Sequence, residues 1–190
     1  HTRSLCDWSS DVCSSDLDAA STLAQMALLN KDFEKVEKYY AMIPAGHSRH
    51  MMLGTRIGQK RWFDYKDKLR QQESDPSSIS QSDIDASLAA AKSYLADSVQ
   101  SAQPGEVSYD LALGSLLLVD AHLETGDVDQ AVRQLESADV APLDLIKEKH
   151  PAIMESSARE LFIRETFKIA VKAYLAALGS QPDNSQWIDK

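Results

Sequence analysis

The stretch SYDLALGSLLLVDAHLETGDVDQAVRQLESA, residues 108–138, decides the fold class. Its apolar residues recur at the helical period on both sides of Gly126-Asp127, and no Pro interrupts either side. It therefore reads as a helix from about Ser108 to Glu124, a tight turn, and a second helix from Val128 to about Ser137. The same period dominates the flanking sequence, and apolar–polar alternation bounded by turn residues is absent, so the chain is expected to be all-α.

Working towards the N-terminus, Gln103-Pro104-Gly105 closes a helix that carries Leu88, Ala91, Leu95 and Val99 on one face. Ser82 followed by Asp85 resembles a capping box opening that helix. Ser74-Asp75-Pro76-Ser77-Ser78 is the clearest linker, joining it to a long helix from about Ser48 to Gln72. In the long helix Met52, Ile57, Phe63 and Tyr65 are expected to face a core, with Gly54 and Gly58 as weak points. Before it lie a helix from Phe33 to about Ile43, ended by Pro44 and Gly46, and a first helix from about Asp18 to Asn30. Leu23, Met26, Ala27 and Asn30 define the expected face of the first helix. Towards the C-terminus, Ala141-Pro142 stops the sixth helix and a short helix near Leu143–Lys149 precedes Pro151. A last helix from about Ser156 to Leu178 is expected to end at Gly179. Its expected core face is Leu161, Phe162, Phe167, Ile169, Tyr174 and Leu178.

Residues 1–17 read differently. The run Asp7-Trp8-Ser9-Ser10-Asp11-Val12-Cys13-Ser14-Ser15-Asp16-Leu17 is what the genetic code makes of a common sequencing-library adapter. Residues 1–17 are accordingly expected to be a non-native, disordered segment that replaces the true N-terminus of a longer protein. Cys6 and Cys13, the two cysteines of the chain, both lie in it. Residues 18–190 thus offer no disulfide, no thiolate metal site and no cysteine nucleophile.

The net charge of −9 includes a −2 contribution from Arg3, Asp7, Asp11 and Asp16, so the remainder is still acidic. That disfavours sequence-independent binding to phosphate backbones or anionic lipid. The 7% aromatic content is low for a β-sandwich, while 43% hydrophobic residues suffice for one continuous core. No apolar run approaches the ~18 residues of a membrane span.

Two of the hairpins resemble tetratricopeptide repeats. In the better match Leu118, His122, Gly126, Asp127, Ala131, Leu135 and Ala138 occupy the repeat's packing positions, with His122 in place of the usual tyrosine and Leu135 in place of an aromatic. In the other, Leu23, Ala24, Asp32, Phe33, Val36, Tyr39 and Tyr40 do so, with Lys31 where glycine is usual, Val36 where alanine is usual, and Pro44 early. The two units lie 95 residues apart, which is no multiple of the ~34-residue period, so divergent hairpins are expected between them. The resemblance implies a bacterial-type α-solenoid of about four antiparallel helical hairpins over residues 18–180, followed by a tail at 181–190.

Residue type and spacing mark out the candidate sites. His47 and His50, with Met51 and Met52, offer nitrogen and thioether groups, yet no third ligand stands at helical spacing, so a packing role is preferred. His122 and His150 are isolated. Glu155, Glu160 and Glu165 recur every fifth residue and so spread around a helix rather than pairing. Lys147 to His150 reads as a charged C-terminal turn. The basic and aromatic run Lys60 to Arg70 is the best surface candidate, within which Arg61, Trp62, Tyr65 and Lys66, together with Tyr39, are assigned to partner binding. The competing reading has its aromatics inward and its basic side chains lying over them. Tyr39 and Tyr40 either line a peptide groove or pack the hairpin.

By the resemblance, the expected function is a non-catalytic scaffold that binds a peptide segment of a partner protein, alongside further repeats of its own chain, with no cofactor or metal. The alternative is a helical accessory or docking region of a larger enzyme. A third reading, single-stranded nucleic acid, rests only on Lys60 to Arg70 and is disfavoured by charge. A soluble protein is expected, in the cytoplasm or exported to the periplasm of a bacterium.

Overall fold

The computed structural model describes residues 14–45, 47–102, 105 and 107–180. Among these residues the backbone forms nine helices and no strand. They are α1 (Ser14–Leu29), α2 (Phe33–Tyr40), α3 (Ser48–Ser74), α4 (Gln81–Gln100), α5 (Tyr109–Glu124), α6 (Val128–Glu136), α7 (Pro142–Lys147), α8 (Pro151–Met154) and α9 (Arg159–Ser180). Of the expected adapter-derived, disordered segment 1–17, residues 1–13 lie outside the described residues, as do the tail 181–190, Gly46, Gln103, Pro104 and Glu106, whereas 14–17 form the first turn of α1.

Three connections close in the same way. After α1, Lys31 N–H donates to Leu28 O at 3.2 Å and Asp32 N–H to Ala27 O at 3.0 Å. After α5 the pair is Gly126 to Leu123 at 3.1 Å and Asp127 to His122 at 2.8 Å, and after α7 it is Lys149 to Ile146 at 3.1 Å and His150 to Leu145 at 2.9 Å. Each turn places one residue in the left-handed region: Lys31 (φ 55), Gly126 (φ 75) and Lys149 (φ 54). The closure satisfies carbonyls that a helix end leaves open, and it returns the chain at once beside the helix it has left. Hence α1–α2 and α5–α6 are hairpins. The long pair α3–α4 makes the most extensive helix–helix contact.

Packing then follows an order. Helix α1 packs on α2 and α3, α3 on α4 and α5, α4 on α5, and α5 on α6 and α9. Helix α9 also packs on α6, while α7 and α8 fill the end of the α5–α9 layer. Four contiguous hydrophobic clusters run along this series, from Ala24, Val36 and Ile57 at one end to Val119, Leu135 and Ala173 at the other.

Several boundaries and faces differ from the sequence reading. Helix α1 starts at Ser14 rather than Asp18, and Leu17 is buried, because the helical apolar period continues upstream into Leu17. The cap of α4 is Ser80, not Ser82: Ser80 Oγ accepts Asp83 N–H at 3.2 Å and donates to Asp83 Oδ2 at 2.6 Å, while Asp85 accepts from Gln81. Gly179 lies inside α9 rather than ending it. In α3 the core residues include Met51, Leu53, Ile57, Trp62 and Tyr65, whereas Phe63 is exposed.

The terminal helices show the largest correction. Helix α1 buries Ala20, Ala24, Ala27 and Leu28 and leaves Leu23 and Met26 outside. Helix α9 buries Phe162, Thr166, Ala170, Ala173 and Ala177 and leaves Leu161 and Phe167 outside. Small inward residues let the helix axes approach closely, so at these interfaces size is a poor guide to which face is inside.

Candidate functional site

The five residues assigned to partner binding are engaged within the fold. Trp62 and Tyr65 are 3% and 4% exposed, with ring centroids 5.2 Å apart, which corrects their assignment to a surface. The Arg61 guanidinium lies 3.6 Å over the Phe33 ring and bonds Glu37 at 2.8 Å, tying α3 to α2. Lys66 sits 4.8 Å above the Trp62 ring and reaches Glu124 on α5 at 2.9 Å. Tyr65 Oη also donates to Glu124, at 3.0 Å, and Lys172 of α9 reaches Glu124 at 2.9 Å and Asp120 at 2.7 Å. Tyr39 is half-buried against the α1–α2 cluster. These side chains fasten α2, α3, α5 and α9 to one another.

The histidines separate in the same manner. His47 caps α3, its Nδ1 accepting Arg49 N–H at 3.2 Å, and His150 caps α8 by accepting Ala152 N–H at 3.2 Å. His50 is buried and points the other way: Nδ1 donates to Ile43 O at 2.8 Å, and Nε2 lies 2.7 Å from Tyr40 Oη and 3.1 Å from Asp97 Oδ2. Tyr40 donates to Asp97 at 2.9 Å and stacks on His50 with centroids 4.1 Å apart. Burial, then the hydrogen bond and charge of Asp97, push the Tyr40 hydroxyl far above its ordinary range, so it stays protonated. Met51 joins a different core cluster. The Tyr40–His50–Asp97 group therefore fastens α2, α3 and α4. Tyr40→Phe removes one hydroxyl and its two contacts, and is expected to destabilise the fold by about 1–2 kcal/mol in urea unfolding.

A polar cleft of about 450 Å³ lies where α4 meets the α5–α6 hairpin. Ala96, Val99 and Leu118 provide its apolar lining, and Lys92, Gln100, His122, Asp127, Gln130 and Gln134 supply polar groups. Asp127 occupies the N-cap position of α6 but makes no capping bond with its side chain. At the equivalent place before α2, Asp32 caps Lys35 N–H. The Asp127 carboxylate instead pairs with Lys92 of α4 and accepts from Thr125 Oγ1 at 2.8 Å, while Lys92 also reaches Thr125 at 2.9 Å. These hydrogen bonds, Lys92 foremost, hold Asp127 below the usual carboxylate range.

His122 projects from α5 beside this pair. Its Nδ1 is buried with no hydrogen-bond partner, 3.8 Å from Asp127 Oδ2. Burial, and secondarily the Lys92 charge, lower the imidazole below its ordinary value despite Asp127, so it is neutral near neutral pH. A buried polar atom left unpaired costs free energy, which the neighbouring Asp127 carboxylate offsets in part. Gln134 bonds Ser115 at 2.8 Å, and Ser115 in turn bonds Val140 O at 2.6 Å, fixing that wall, while Gln100 and Gln130 stand exposed at the rim. The cleft thus combines carboxamides, a neutral imidazole and a charge pair already neutralised internally. Such a lining suits uncharged hydrogen-bonding groups, peptide amides among them.

In the sequence His122 stands as an isolated histidine at a packing position, and no motif marks Lys92 or the three glutamines. Lys92 and Asp127 stand 35 residues apart, and no local spacing signals their pairing. Comparison of the chain with protein-family models, curated proteins and solved structures finds no match. No helix among the described residues is long and apolar enough to cross a membrane.

Proposed function

We propose that this chain is a non-catalytic interaction scaffold, a tetratricopeptide-like array of helical hairpins that binds an extended peptide segment of a partner protein in the α4–α5–α6 cleft. The observation that carries the reading is Asp127: its carboxylate is drawn away from its own helix to fix Lys92, in a cleft whose rim exposes the carboxamides of Gln100 and Gln130. The array reading is supported by the order of packing, in which α1, α3, α5 and α9 each lie against the next and the intervening helices complete the hairpins. Partner specificity would come from side chains at the cleft rim, with affinity from the apolar groups beneath.

Selection of binders from a random peptide library tests this. Selected peptides are expected to bind the chain in calorimetric titration and to lose at least tenfold in affinity with Gln130→Ala or Lys92→Ala, the fold remaining intact by circular dichroism. Peptides indifferent to both substitutions, or no binders at all, would overturn the assignment.

A further inference from the structure

The α4–α5–α6 cleft gathers a lysine and a histidine around one carboxylate oxygen. Asp127 Oδ2 pairs with Lys92 Nζ, accepts from Thr125 Oγ1 at 2.8 Å, and lies 3.8 Å from the buried His122 Nδ1. These groups divide unevenly between the walls. His122, near the end of α5, and Asp127, at the N-cap of α6, stand on two sides of a single turn and belong to one hairpin. Lys92 reaches across from α4. The Lys92 bonds to Asp127 and Thr125 are therefore ties between walls, whereas a bond from His122 to Asp127 lies within one wall.

Acid changes the balance of charge at this oxygen. With His122 neutral, one cation serves one carboxylate. Burial first, and then the Lys92 charge, hold the imidazole below its ordinary 6.5, while hydrogen bonds from Lys92 and Thr125 keep Asp127 below its ordinary 3.8. On acidification His122 gains its proton while Asp127 stays ionised, and two cations then compete for one carboxylate. The charged groups that neighbour His122 along α5 are engaged elsewhere: Asp120 and Glu124 face Lys172 of α9, and Glu124 also faces Lys66 of α3. The other α4 and α6 residues that line the cleft, Ala96, Val99, Gln100, Gln130 and Gln134, carry no charge. As pH falls below 6.5 the unfolded chain takes this proton before the folded chain does, so acid acts against the packing that buries His122.

We propose that His122 makes the cleft acid-sensitive: once protonated it draws the Asp127 carboxylate from Lys92, and α4 is released from the α5–α6 hairpin. The imidazolium Nδ1–H donates to Asp127 Oδ2 on closing the 3.8 Å gap, and its charge repels Lys92. A tie across the cleft is exchanged for a bond inside the hairpin, and the two walls part. The proposal rests on the peptide-binding reading for what the parted walls let go, while the exchange itself needs no ligand.

A double-mutant cycle on the tie tests this. Urea unfolding of the unmodified chain, Lys92→Gln, Asp127→Asn and the double variant gives the Lys92–Asp127 coupling at about pH 7 and at about pH 4.5. The coupling is expected to be favourable at the higher pH and to fall about twofold or more at the lower. In a His122→Gln background, which has no proton to gain, it should be equal at both. Absent coupling at neutral pH, coupling unchanged by acid, or a fall that persists without His122 would each overturn the proposal. His122→Leu replaces His122→Gln if that variant fails to fold. In NMR spectra of the unmodified chain the His122 ring signals should titrate below 6.5 together with the Thr125 amide. A ring that stays neutral until the fold is lost would equally overturn the proposal. No peptide is present in either measurement, so their outcome is separate from that of the library selection.

Discussion

Gly58→Val is expected to abolish cooperative folding. A Cβ at position 58 would stand 2.6 Å from Leu95 Cγ, 2.7 Å from its Cδ2 and 3.0 Å from its backbone nitrogen. Leu95 is fully buried between α3, α4 and α5, so it has no room to turn aside, and a backbone atom cannot yield without moving the helix. Overpacking a core by a methylene or two typically costs about 1–3 kcal/mol, and a clash with backbone costs more. Against a net stability of roughly 5–15 kcal/mol for a typical domain, separating the most extensive helix pair in the fold is a large loss. Gly58→Ala should also destabilise, although alanine is favoured over glycine inside a helix by about 1 kcal/mol. Gly179→Ala is the control, because nothing lies within 4 Å of its Cβ position. Thermal unfolding followed by circular dichroism should show a lowered or absent transition for the two Gly58 variants and an unchanged or slightly raised one for the control.

Glu124→Gln should cost about 2–3 kcal/mol at neutral pH and flatten the acid limb of the stability profile. Burial by itself would raise this carboxyl, but hydrogen bonds and charge from Lys66 and Lys172 outweigh it and bring the group from 4.5 down to about 2. The side chain is 23% exposed but its lysine partners are 34% and 48% exposed, and the expected cost is set below the full shift to allow for their solvent screening. The sign follows from proton uptake. Above the unfolded value of 4.5 both states are ionised and the stabilisation is fully present. As pH falls below it the unfolded chain binds a proton that the folded chain resists, and the contribution is gone once pH passes below about 2. Urea unfolding at neutral pH and at about pH 3 should show a smaller loss for Glu124→Gln than for the unmodified chain. Equal losses would mean that the three-helix cluster does not hold this charge in solution.

Helix positions were legible in the sequence because Pro, Gly and Ser-rich breaks bracket strongly periodic runs, and α4, α5 and α6 fall where the pattern places them. Faces were less legible. In α1 and α9 many of the inward residues are alanines, and a reading that sends the largest apolar side chains inside places Phe162 and Ala27 correctly but wrongly turns Leu23, Met26, Leu161 and Phe167 inward. Gly54 and Gly58 read as weak points when propensity alone is considered, yet the space they leave is filled by Ser98, Tyr40 and Leu95 from neighbouring helices. The aromatic and basic run of α3 was conspicuous as composition, but its partners, Phe33, Glu37 and Glu124, come from other helices and no local spacing discloses them. The cleft was hidden for the same reason: Lys92, His122 and Asp127 meet only once α4 has packed on the α5–α6 hairpin.

The three like turns after α1, α5 and α7 bear on which substitutions the corners of this chain tolerate. Glycine occupies the left-handed position in one of them and lysine in the other two, yet the amide-to-carbonyl closure is the same. The bend is thus specified by a pair of main-chain bonds, and residue identity at that position adjusts its cost by about 1–2 kcal/mol without altering its direction. A lysine can therefore stand at these corners in place of glycine without altering the path of the chain.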